Sequence, residues 1–233
     1  MKVTSVGAGA NLRLSVAESS GQGDDIILDS GSTVSGGKDV SLLAGDNITV
    51  SAGAAVTAGT VLNLTGDKPS LDPEGSIITI AGDLNASTVS ITAAAGQGAK
   101  LVSSIDGNQE LSNSQLKRTP ASSTTVQTIA IIGFTQASLA GGTSDNTISI
   151  GGWTGSVTVD GGSGYDTITV TTDTDFNIAD GLIKRVGTGD ATIIGIENGV
   201  FRGGAKANKF DVSGWTKDGQ VFGELSPAKQ NDT

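Results

Sequence analysis

Acidic residues in the second half of the chain have the clearest potential for acid–base chemistry. The candidates are the aspartates Asp166, Asp173, Asp175 and Asp190 and the adjacent cations Lys184 and Arg185. A glycoside hydrolase needs two carboxyl groups that face each other across a groove, and a polysaccharide lyase needs a cationic base. The spacing of these residues does not favour such a site over solvated turns. We therefore predict that the protein is not an enzyme.

The composition excludes most other catalytic classes. The 233 residues include no histidine and no cysteine, which excludes a Ser-His-Asp triad, a thiolate nucleophile and metals ligated by His or Cys. The chain also lacks the G-x-x-x-x-G-K-[ST] phosphate loop. A net charge of −10 disfavours nucleic acid, which binds clustered Lys and Arg. The same charge attracts hard cations such as Ca²⁺.

The fold that would hold such residues is indicated near the N-terminus, where a sequence phrase recurs every 22 residues. Residues 23–44 (GDDIILDSGSTVSGGKDVSLLA) and 45–66 (GDNITVSAGAAVTAGTVLNLTG) align without a gap, so that Ile26 matches Ile48. A fixed period of this length is typical of stacked repeats, in which each coil buries its apolar face only against its neighbours. Alternation of apolar residues with Ser, Thr and Asn predicts about three short strands in each coil.

Two segments interrupt this pattern. A third coil continues the repeat if residues 67–74 are removed, which brings Ile78 onto Ile48. We predict that these eight residues are a surface loop, where insertions cost little. Residues 105–125 are polar and are predicted to form a loop or linker that can hold a short helix over Gln109–Leu116.

All eight aromatic residues lie at or beyond Phe134. A narrow coil filled by aliphatic residues has little room for rings. We therefore predict a narrow aliphatic stretch over 1–104 and a wider continuation over 126–233, joined by 105–125. The rings would lie in the wider interior or on its surface.

A second phrase repeats in the later stretch. Residues 141–154 (GGTSDNTISIGGWT) match residues 203–216 (GGAKANKFDVSGWT) at an offset of 62. That offset equals three coils of about 21 residues. The tryptophans Trp153 and Trp215 could form a sugar-stacking surface, but packing against the next coil is the favoured interpretation.

The predicted fold is all-β, a parallel β-solenoid with coils of about 20–22 residues. Stacking pairs every strand edge and gives the coils a shared core, which one coil cannot form alone. An antiparallel β-sandwich is the alternative, because it also has short strands at regular spacing. Sandwich strands need not repeat in sequence, however, whereas these do.

The repeats resemble a known family. The segment KDVSLLAGDNITVSAGAAVTAGTVLNLTGD, within residues 23–92, is similar to repeats of filamentous-haemagglutinin-like adhesins and related giant bacterial surface proteins. The resemblance covers roughly a third of the chain. It implies a right-handed parallel β-helix that holds binding regions away from the cell.

The glycine-rich turns resemble degenerate RTX-type calcium-binding repeats. Residues 161–169 (GGSGYDTIT) fit the pattern G-G-x-G-x-D-x-U-x at every defined position, and residues 20–28 (SGQGDDIIL) fit all but the first. In that family the aspartate, here Asp166 and Asp25, joins turn carbonyl groups in binding Ca²⁺ between neighbouring coils. The resemblance therefore implies calcium at these two positions.

The pattern departs from that family in one important respect. The family runs its nonapeptides in tandem, whereas here the neighbouring copies 141–149 and 203–211 carry Asn146 and Asn208 in the aspartate position. Calcium sites without tandem carboxylates would be weak or lost. We predict that no cofactor is required and that Ca²⁺ is the one ion that the chain could bind.

These observations predict a non-catalytic structural segment of a bacterial extracellular or cell-surface protein, an adhesin stalk or repeat scaffold. Its expected partners are neighbouring repeats, other copies of itself and surface glycans. Unpaired strand edges on the end coils would allow assembly end to end into a filament. A polysaccharide-degrading or carbohydrate-binding β-helix protein is the alternative. No apolar stretch reaches 18 residues, so no membrane span is predicted, and we expect the chain to be a piece of a longer protein.

Overall fold

A computed structural model describes residues 1–19, 23–67, 75–94 and 98–223 of the chain. These residues form strands, turns and irregular segments but no helix, which confirms the predicted all-β class. In the same ranges there is accordingly no helix with the length and apolarity needed to cross a membrane.

The chain divides into two compact units, and each is described by itself. Unit 1 comprises Met1–Ser103 and Thr128–Gln136, and unit 2 comprises Ser104–Gln127 and Ala137–Thr233. The strands, in chain order, are β1 (Lys2–Ala8), β2 (Leu12–Ser15), β3 (Ile26–Gly36), β4 (Val40–Leu43), β5 (Ile48–Val50), β6 (Ala55–Ala58), β7 (Val61–Gly66), β8 (Ile77–Ile80), β9 (Asp83–Asn85), β10 (Thr88–Ala93), β11 (Lys100–Ser104), β12 (Gly107–Leu111), β13 (Gln115–Pro120), β14 (Gln127–Ile132), β15 (Gln136–Ala140), β16 (Thr147–Ser149), β17 (Ser156–Asp160), β18 (Thr167–Thr171), β19 (Phe176–Ala179), β20 (Leu182–Arg185), β21 (Ala191–Ile194), β22 (Asn198–Arg202), β23 (Phe210–Gly214) and β24 (Asp218–Phe222). Apart from single end residues, β1–β11 and β14 belong to unit 1 and the other strands to unit 2.

Unit 1 is built from parallel strands that bring equivalent residues of successive repeats together. Ile26 pairs with Ile48, and Ile48 pairs with Ile78. This pairing confirms the register predicted from the 22-residue repeat and the position predicted for the third coil. All three side chains are fully buried, so matching aliphatic positions form continuous columns in the core. Residues 68–74 of the loop predicted at 67–74 lie outside the described residues.

The strands of unit 1 form two sheets. One has the order β11-β8-β5-β3-β6-β9, with β1 also paired to β3, and the other has the order β2-β4-β7-β10-β14. Side chains alternate between the two faces of each strand. In β7, for example, Leu62 and Leu64 are buried while Asn63 and Thr65 are half-buried. The alternation in the sequence therefore corresponds to one aliphatic inner face and one polar outer face.

Glycines at one corner of unit 1 are required by close packing between repeats. A Cβ atom on Gly59 would lie 2.3 Å from the carbonyl oxygen of Gly37, and a Cβ atom on Gly37 would lie 2.4 Å from that of Gly9. Neither distance leaves room for a side chain. Gly9 begins this column, and a Cβ atom there would have no neighbour within 4 Å.

Unit 2 also has two sheets, but its repeats are irregular. The orders are β15-β17-β21-β20-β19-β23 and β13-β12-β16-β18-β22-β24. Thr147 pairs with Thr167, Thr167 with Asn198 and Asn198 with Asp218. Successive partners are thus 20, 31 and 20 residues apart. The long middle step contains β19, β20 and β21, which insert chain reversals into the repeat.

These reversals make the sheets of unit 2 mixed, so the expectation of parallel pairing throughout is wrong here. Strand β12 pairs antiparallel with β13, and β20 pairs antiparallel with both β19 and β21. The segment 105–125 is therefore a β-hairpin, not a loop, and it contains no helix over Gln109–Leu116. Gln109 and Arg118 are both buried. Because these inward positions carry polar residues, the strand alternation was hidden in the sequence.

The 62-residue repeat is a local motif and not a stack of three coils. Ile148 lies in β16 and its counterpart Phe210 lies in β23, and these strands belong to different sheets of unit 2. Each copy nevertheless makes an equivalent local hydrogen bond. The indole N–H groups of Trp153 and Trp215 donate to the carbonyl oxygens of the residues three positions later, Ser156 and Asp218. The repeated sequence therefore forms a similar local turn at both positions.

Aromatic rings of unit 2 lie both in its core and on its surface. Phe176 is buried and stacks on Phe210 with the ring centroids 5.0 Å apart. Phe201 is buried and meets Trp215 edge to face at 5.4 Å. Tyr165, by contrast, is 47% exposed. Both placements that were predicted for the rings therefore occur.

Candidate functional site

Most acidic and amide side chains at the corners of unit 1 are engaged with the backbone of an adjoining repeat. Asp25 Oδ1 accepts hydrogen bonds from the backbone N–H and the side-chain amide of Asn47 at 3.1 and 2.9 Å. Asn47 Oδ1 in turn accepts the N–H of Ile77 at 2.7 Å. We call such side chains corner acceptors. They satisfy N–H groups at or just before the starts of strands, such as that of Ile77, the first residue of β8.

The same arrangement recurs in unit 2. The corner acceptors there include Asp106, Asn108, Asn113, Asp145, Asp173, Asp175 and Asp180, and each accepts at least one backbone N–H from a later segment of the chain. Hydrogen bonds to an ionised carboxylate favour the charged form. The N–H of Ser144 accordingly lowers the pKa of Asp106, and the hydroxyl of Thr216 lowers that of Asp180. Asp106 and Asp180 are therefore weakened as general bases.

Asp166 differs from these exposed corner acceptors because it is completely buried. Its Oδ1 atom accepts the N–H of Asn146 at 2.7 Å, whereas its Oδ2 atom is buried and has no hydrogen-bond partner. A Cβ atom on Gly161 would lie 2.6 Å from Oδ2. The glycine that begins this turn therefore leaves the space that the carboxyl group fills.

Three other carboxylates lie within electrostatic reach of Asp166, without forming a metal-binding group. Glu197 accepts the N–H of Asp166 itself at 2.9 Å. Asp145 accepts the N–H of Tyr165 at 2.8 Å. Asp160 accepts the N–H of Gly162 at 3.1 Å. Burial raises the pKa of Asp166, and repulsion from these three neighbours raises it further, against the opposing effect of the Asn146 N–H. We call this group the Asp166 corner. In this group burial and neighbouring charge both act against ionisation of Asp166.

The metal prediction concerns Asp166 in unit 2 and Asp25 in unit 1. Calcium takes six to eight oxygen ligands. In the part of the chain that the structure describes, no three acidic side chains are grouped so that they could hold a metal ion. At both aspartates, Oδ1 already accepts a backbone N–H. Calcium at either position stays a prediction.

The catalytic candidates are not brought together as a carboxyl pair and a base. Asp173 accepts the N–H of Lys206, and Asp175 accepts that of Lys209. Lys184 and Arg185 are neighbours in sequence, but in β20 Lys184 is exposed and Arg185 is buried. The two cations therefore point to opposite faces of the strand.

Arg185 is a residue whose role the sequence analysis missed. Its guanidinium group donates to the carbonyl oxygens of Trp153 at 2.5 Å, of Gly155 at 2.9 Å and of Gly189. Burial lowers its pKa. In the other hairpin, the buried Arg118 likewise donates to a carbonyl oxygen, that of Ser104, at 3.3 Å. The sequence does contain a signal for this role: Arg185 follows Ile183 by two residues, so strand alternation places both side chains on the inward face of β20.

The described residues also line two clefts. A cleft of about 430 Å³ in unit 1 is lined by Asp25, Asp46, Asn47, Ser76 and Ile77 together with two glycines. Its acidic and amide oxygens already accept backbone N–H groups, including that of Gly23 on Asp46 at 2.5 Å. A second cleft, of about 360 Å³, lies beside the hairpin β12–β13 in unit 2. The first cleft holds the carboxyl groups of Asp25 and Asp46, each with one oxygen on a backbone N–H, and the second holds one carboxyl group, that of Asp145.

The two tryptophans differ in exposure. Trp153 is only 2% exposed, and Trp215 packs edge to face on Phe201. Both indole N–H groups are used in the local corner described above. Burial accounts for Trp153, whereas Trp215 packs on Phe201 and keeps part of its ring exposed.

Comparison with known proteins adds no relative from which function could be transferred. No protein-family model, no curated protein and no solved structure matches the chain.

Proposed function

We propose that this chain is a non-catalytic scaffold, a parallel β-solenoid segment of an extracellular or cell-surface protein such as an adhesin stalk. The observation that carries the proposal is the use of its polar side chains. Asp25, Asn47, Asp173 and Asp175 all accept backbone N–H groups from a later segment of the chain. A side chain that is committed to holding neighbouring segments together is not free to bind or activate a substrate.

The architecture supports the same proposal. In unit 1, like residues stack on like in register, and glycine corners let the backbones of successive repeats approach closely. Length in such a structure grows by repetition, since each coil contacts only its neighbours. Rigid spacing of attached binding regions is the function that this construction serves best.

Cross-linking tests the stacked architecture. The chain has no cysteine, so introduced pairs can be assigned without ambiguity. Thr49 and Thr79 are register partners in β5 and β8, and neighbouring strands lie about 4.8 Å apart, within the range of a disulfide. Thr49→Cys with Thr79→Cys should oxidise to a disulfide rapidly. The control pairs Thr49→Cys with Ser90→Cys, in the other sheet, and should not. Equal cross-linking of both pairs would overturn the architecture.

Turnover assays test the absence of catalysis. The protein should release no reducing sugar from a panel of neutral and uronic-acid polysaccharides, and a glycan array will show whether it binds any of them. Hydrolysis or elimination that disappears in Lys184→Ala or Asp173→Asn would establish an enzyme instead. Glycan binding without turnover would identify the carbohydrate-binding alternative.

Self-assembly is a variant of the scaffold proposal. Among the described strands, β2 pairs with β4 alone and β24 pairs with β22 alone. Each therefore has one open edge, at which a second copy could add a strand. Sedimentation over a wide concentration range should show growing oligomers. A monomer at every concentration would exclude the filament and leave the scaffold proposal intact.

A further inference from the structure

Several corner acceptors follow a common rule of position. Each stands one residue before a paired strand residue and accepts the N–H of the residue at the same position in the next strand of its sheet. Asp39, for example, accepts the N–H of Val61 at 3.2 Å, and the residues that follow them, Val40 and Leu62, are register partners. The same relation joins Asn11 to Asp39, Asp25 to Asn47, Asn47 to Ile77, Asn108 to Thr147 and Asp175 to Lys209.

Asp218 stands at this position in β24, the last described strand of its sheet. It lies in the same column of register partners as Thr147, the residue whose N–H binds Asn108. Its Oδ2 atom accepts the hydroxyl group of Tyr165 at 2.6 Å, whereas its Oδ1 atom accepts no hydrogen bond in the described structure. Asp218 is therefore a corner acceptor for which the described residues contain no next strand.

The edge at β2 has the complementary group. Asn11 directly precedes β2, and its side chain accepts the N–H of Asp39. Its own backbone N–H donates to no group in the described structure. Among the described strands, β2 pairs with β4 alone and β24 with β22 alone. One open edge thus has an unused acceptor, and the other has an unused donor, at the same strand position.

Inward apolar side chains at the two edges are covered on one side only. Val170, Phe201 and Val221 are successive register partners, and they are 0%, 1% and 45% exposed. At the other edge Leu14 is half-buried, whereas its register partner Leu42 is fully buried. Each edge would therefore bury further apolar surface if one more strand were added to it.

We propose that β24 of one copy of the chain adds in parallel to β2 of a second copy, with Asp218 opposite Asn11. In this register Asp218 Oδ1 accepts the Asn11 N–H, and Val221 lies opposite Leu14. A shift by one residue would place Val221 opposite Arg13 and would lose both contacts, because side chains alternate between the faces of a strand. The inference rests on the scaffold proposal, and it supplies the edges and the register for its self-assembly variant.

The occupant of each edge is a second copy because one chain carries both halves of the contact. Strand β2 pairs in parallel with β4, and β24 pairs in parallel with β22, so a parallel junction continues the pattern of both sheets. Strand addition of this kind gains backbone hydrogen bonds, while the inward side chains select the register. Because the two surfaces differ, every added copy presents a new β24 edge, and such contacts generate rings or open filaments.

Cross-linking between copies tests the register. The chain has no cysteine, and Arg13 and Gln220 are both exposed. Across the proposed junction they are register partners, about 4.8 Å apart, which is within the range of a disulfide. An oxidised mixture of Arg13→Cys and Gln220→Cys should give a heterodimer. A mixture of Arg13→Cys and Phe222→Cys, displaced along the strand by about 7 Å, should not. Equal cross-linking of both mixtures, or of neither, would overturn the register.

A charge on the inward face tests the apolar part of the contact. Val221→Lys should abolish the oligomers that sedimentation detects for the wild type, because a junction would bury an unpaired ammonium group. Ile194→Lys is the control, since Ile194 is exposed on the outward face of β21, and it should assemble like the wild type. Circular dichroism checks that both variants fold. Oligomers that persist in a folded Val221→Lys protein would overturn the junction.

The acceptor itself is tested at Asp218. Asp218→Asn keeps an acceptor oxygen and should assemble like the wild type, whereas Asp218→Ala should weaken association by about tenfold, since it leaves the Asn11 N–H unpaired. The matched control is Asp83→Ala, at the exposed first residue of β9, which pairs with β6 alone among the described strands. It should have no effect, and equal weakening by both alanine variants would overturn the role of Asp218.

Failure of this junction is distinguishable from failure of the scaffold proposal. A wild-type protein that stays monomeric at every concentration would overturn the junction, but the Thr49–Thr79 cross-link would still support the stacked architecture. Turnover of a polysaccharide would overturn the scaffold function, whereas a disulfide between Arg13→Cys and Gln220→Cys would still establish the junction.

Discussion

Unit 1 fills its core with aliphatic side chains in register, whereas unit 2 also buries amide and guanidinium groups among its aliphatic and aromatic residues. The Arg, Gln and Asn side chains that are buried in the described structure all lie in unit 2: Gln109, Arg118, Asn146, Arg185 and Asn208. Unit 2 is also the unit with hairpins and unequal offsets. The difference teaches that both units use polar side chains at their corners to accept backbone N–H groups, while the unit with reversals also buries long polar side chains that donate to backbone carbonyl groups.

Ile48→Ala should have the largest effect, because it breaks the aliphatic column of unit 1. Ile48 is fully buried between Ile26 and Ile78, and truncation of such a side chain costs about 2–5 kcal/mol through lost burial and a cavity. Hydrogen exchange in β3, β5 and β8 measures the change in local unfolding free energy. Ile77→Ala, at a neighbouring side chain that is 45% exposed, should cost far less. Equal losses would show that the column is not the core.

Arg185→Met should have the next largest effect and should act on unit 2 alone. It leaves the carbonyl oxygens of Trp153, Gly155 and Gly189 without the guanidinium donor. We expect a loss of about 3 kcal/mol, since each buried group left unpaired costs about 1–3 kcal/mol and removal of a buried charge offsets part of the total. Denaturant unfolding measures it. The matched control Lys184→Met, on the exposed face of the same strand, should be nearly neutral, and a neutral Arg185→Met would refute the proposed role of the guanidinium group.

Gly59→Ala tests whether the regularity of unit 1 depends on close corners. The added methyl group would lie 2.3 Å from the Gly37 carbonyl oxygen, so the repeats must separate, at a cost of about 1–3 kcal/mol. Gly9→Ala is the control at the first position of the same column, where the methyl group meets nothing. Thermal melting of both variants decides the matter: two equal melting temperatures would contradict the packing argument.

Acid titration should separate the two kinds of aspartate in unit 2, with the smallest effect. The Thr216 hydroxyl and N–H bind Asp180 at 2.6 and 2.8 Å and lower its pKa. A lowered folded pKa contributes stability above the unfolded pKa that is lost as pH falls through the folded value. Asp180→Asn should therefore flatten the acid side of the stability curve slightly, because solvent screens this carboxyl group. Unfolding measured between about pH 5 and 3 checks this, and an unaltered acid limb would contradict it.

The sequence predicted unit 1 better than unit 2 for a physical reason. Ile26, Ile48 and Ile78 repeat because identical neighbours stack in one column, so the register could be derived by alignment. The hairpin β12–β13 could not, since Gln109 and Arg118 occupy inward positions where a pattern of apolar and polar residues indicates solvent. The candidate site was likewise predicted only in part. Asp166 was singled out by its glycine turn, but its burial and its unpartnered oxygen depend on Asp160 and Glu197, which lie outside that motif.

The corner acceptors also have a direction. Asp25 receives its N–H from Asn47, Asp106 from Ser144 and Asp180 from Thr216, so in most corners the oxygen precedes the donor along the chain. During synthesis from the N-terminus, the acceptor oxygens of a folded repeat would therefore be in place before the segment that donates to them is made. Folding would then proceed repeat by repeat from the N-terminal end, with each folded repeat acting as a template for the next.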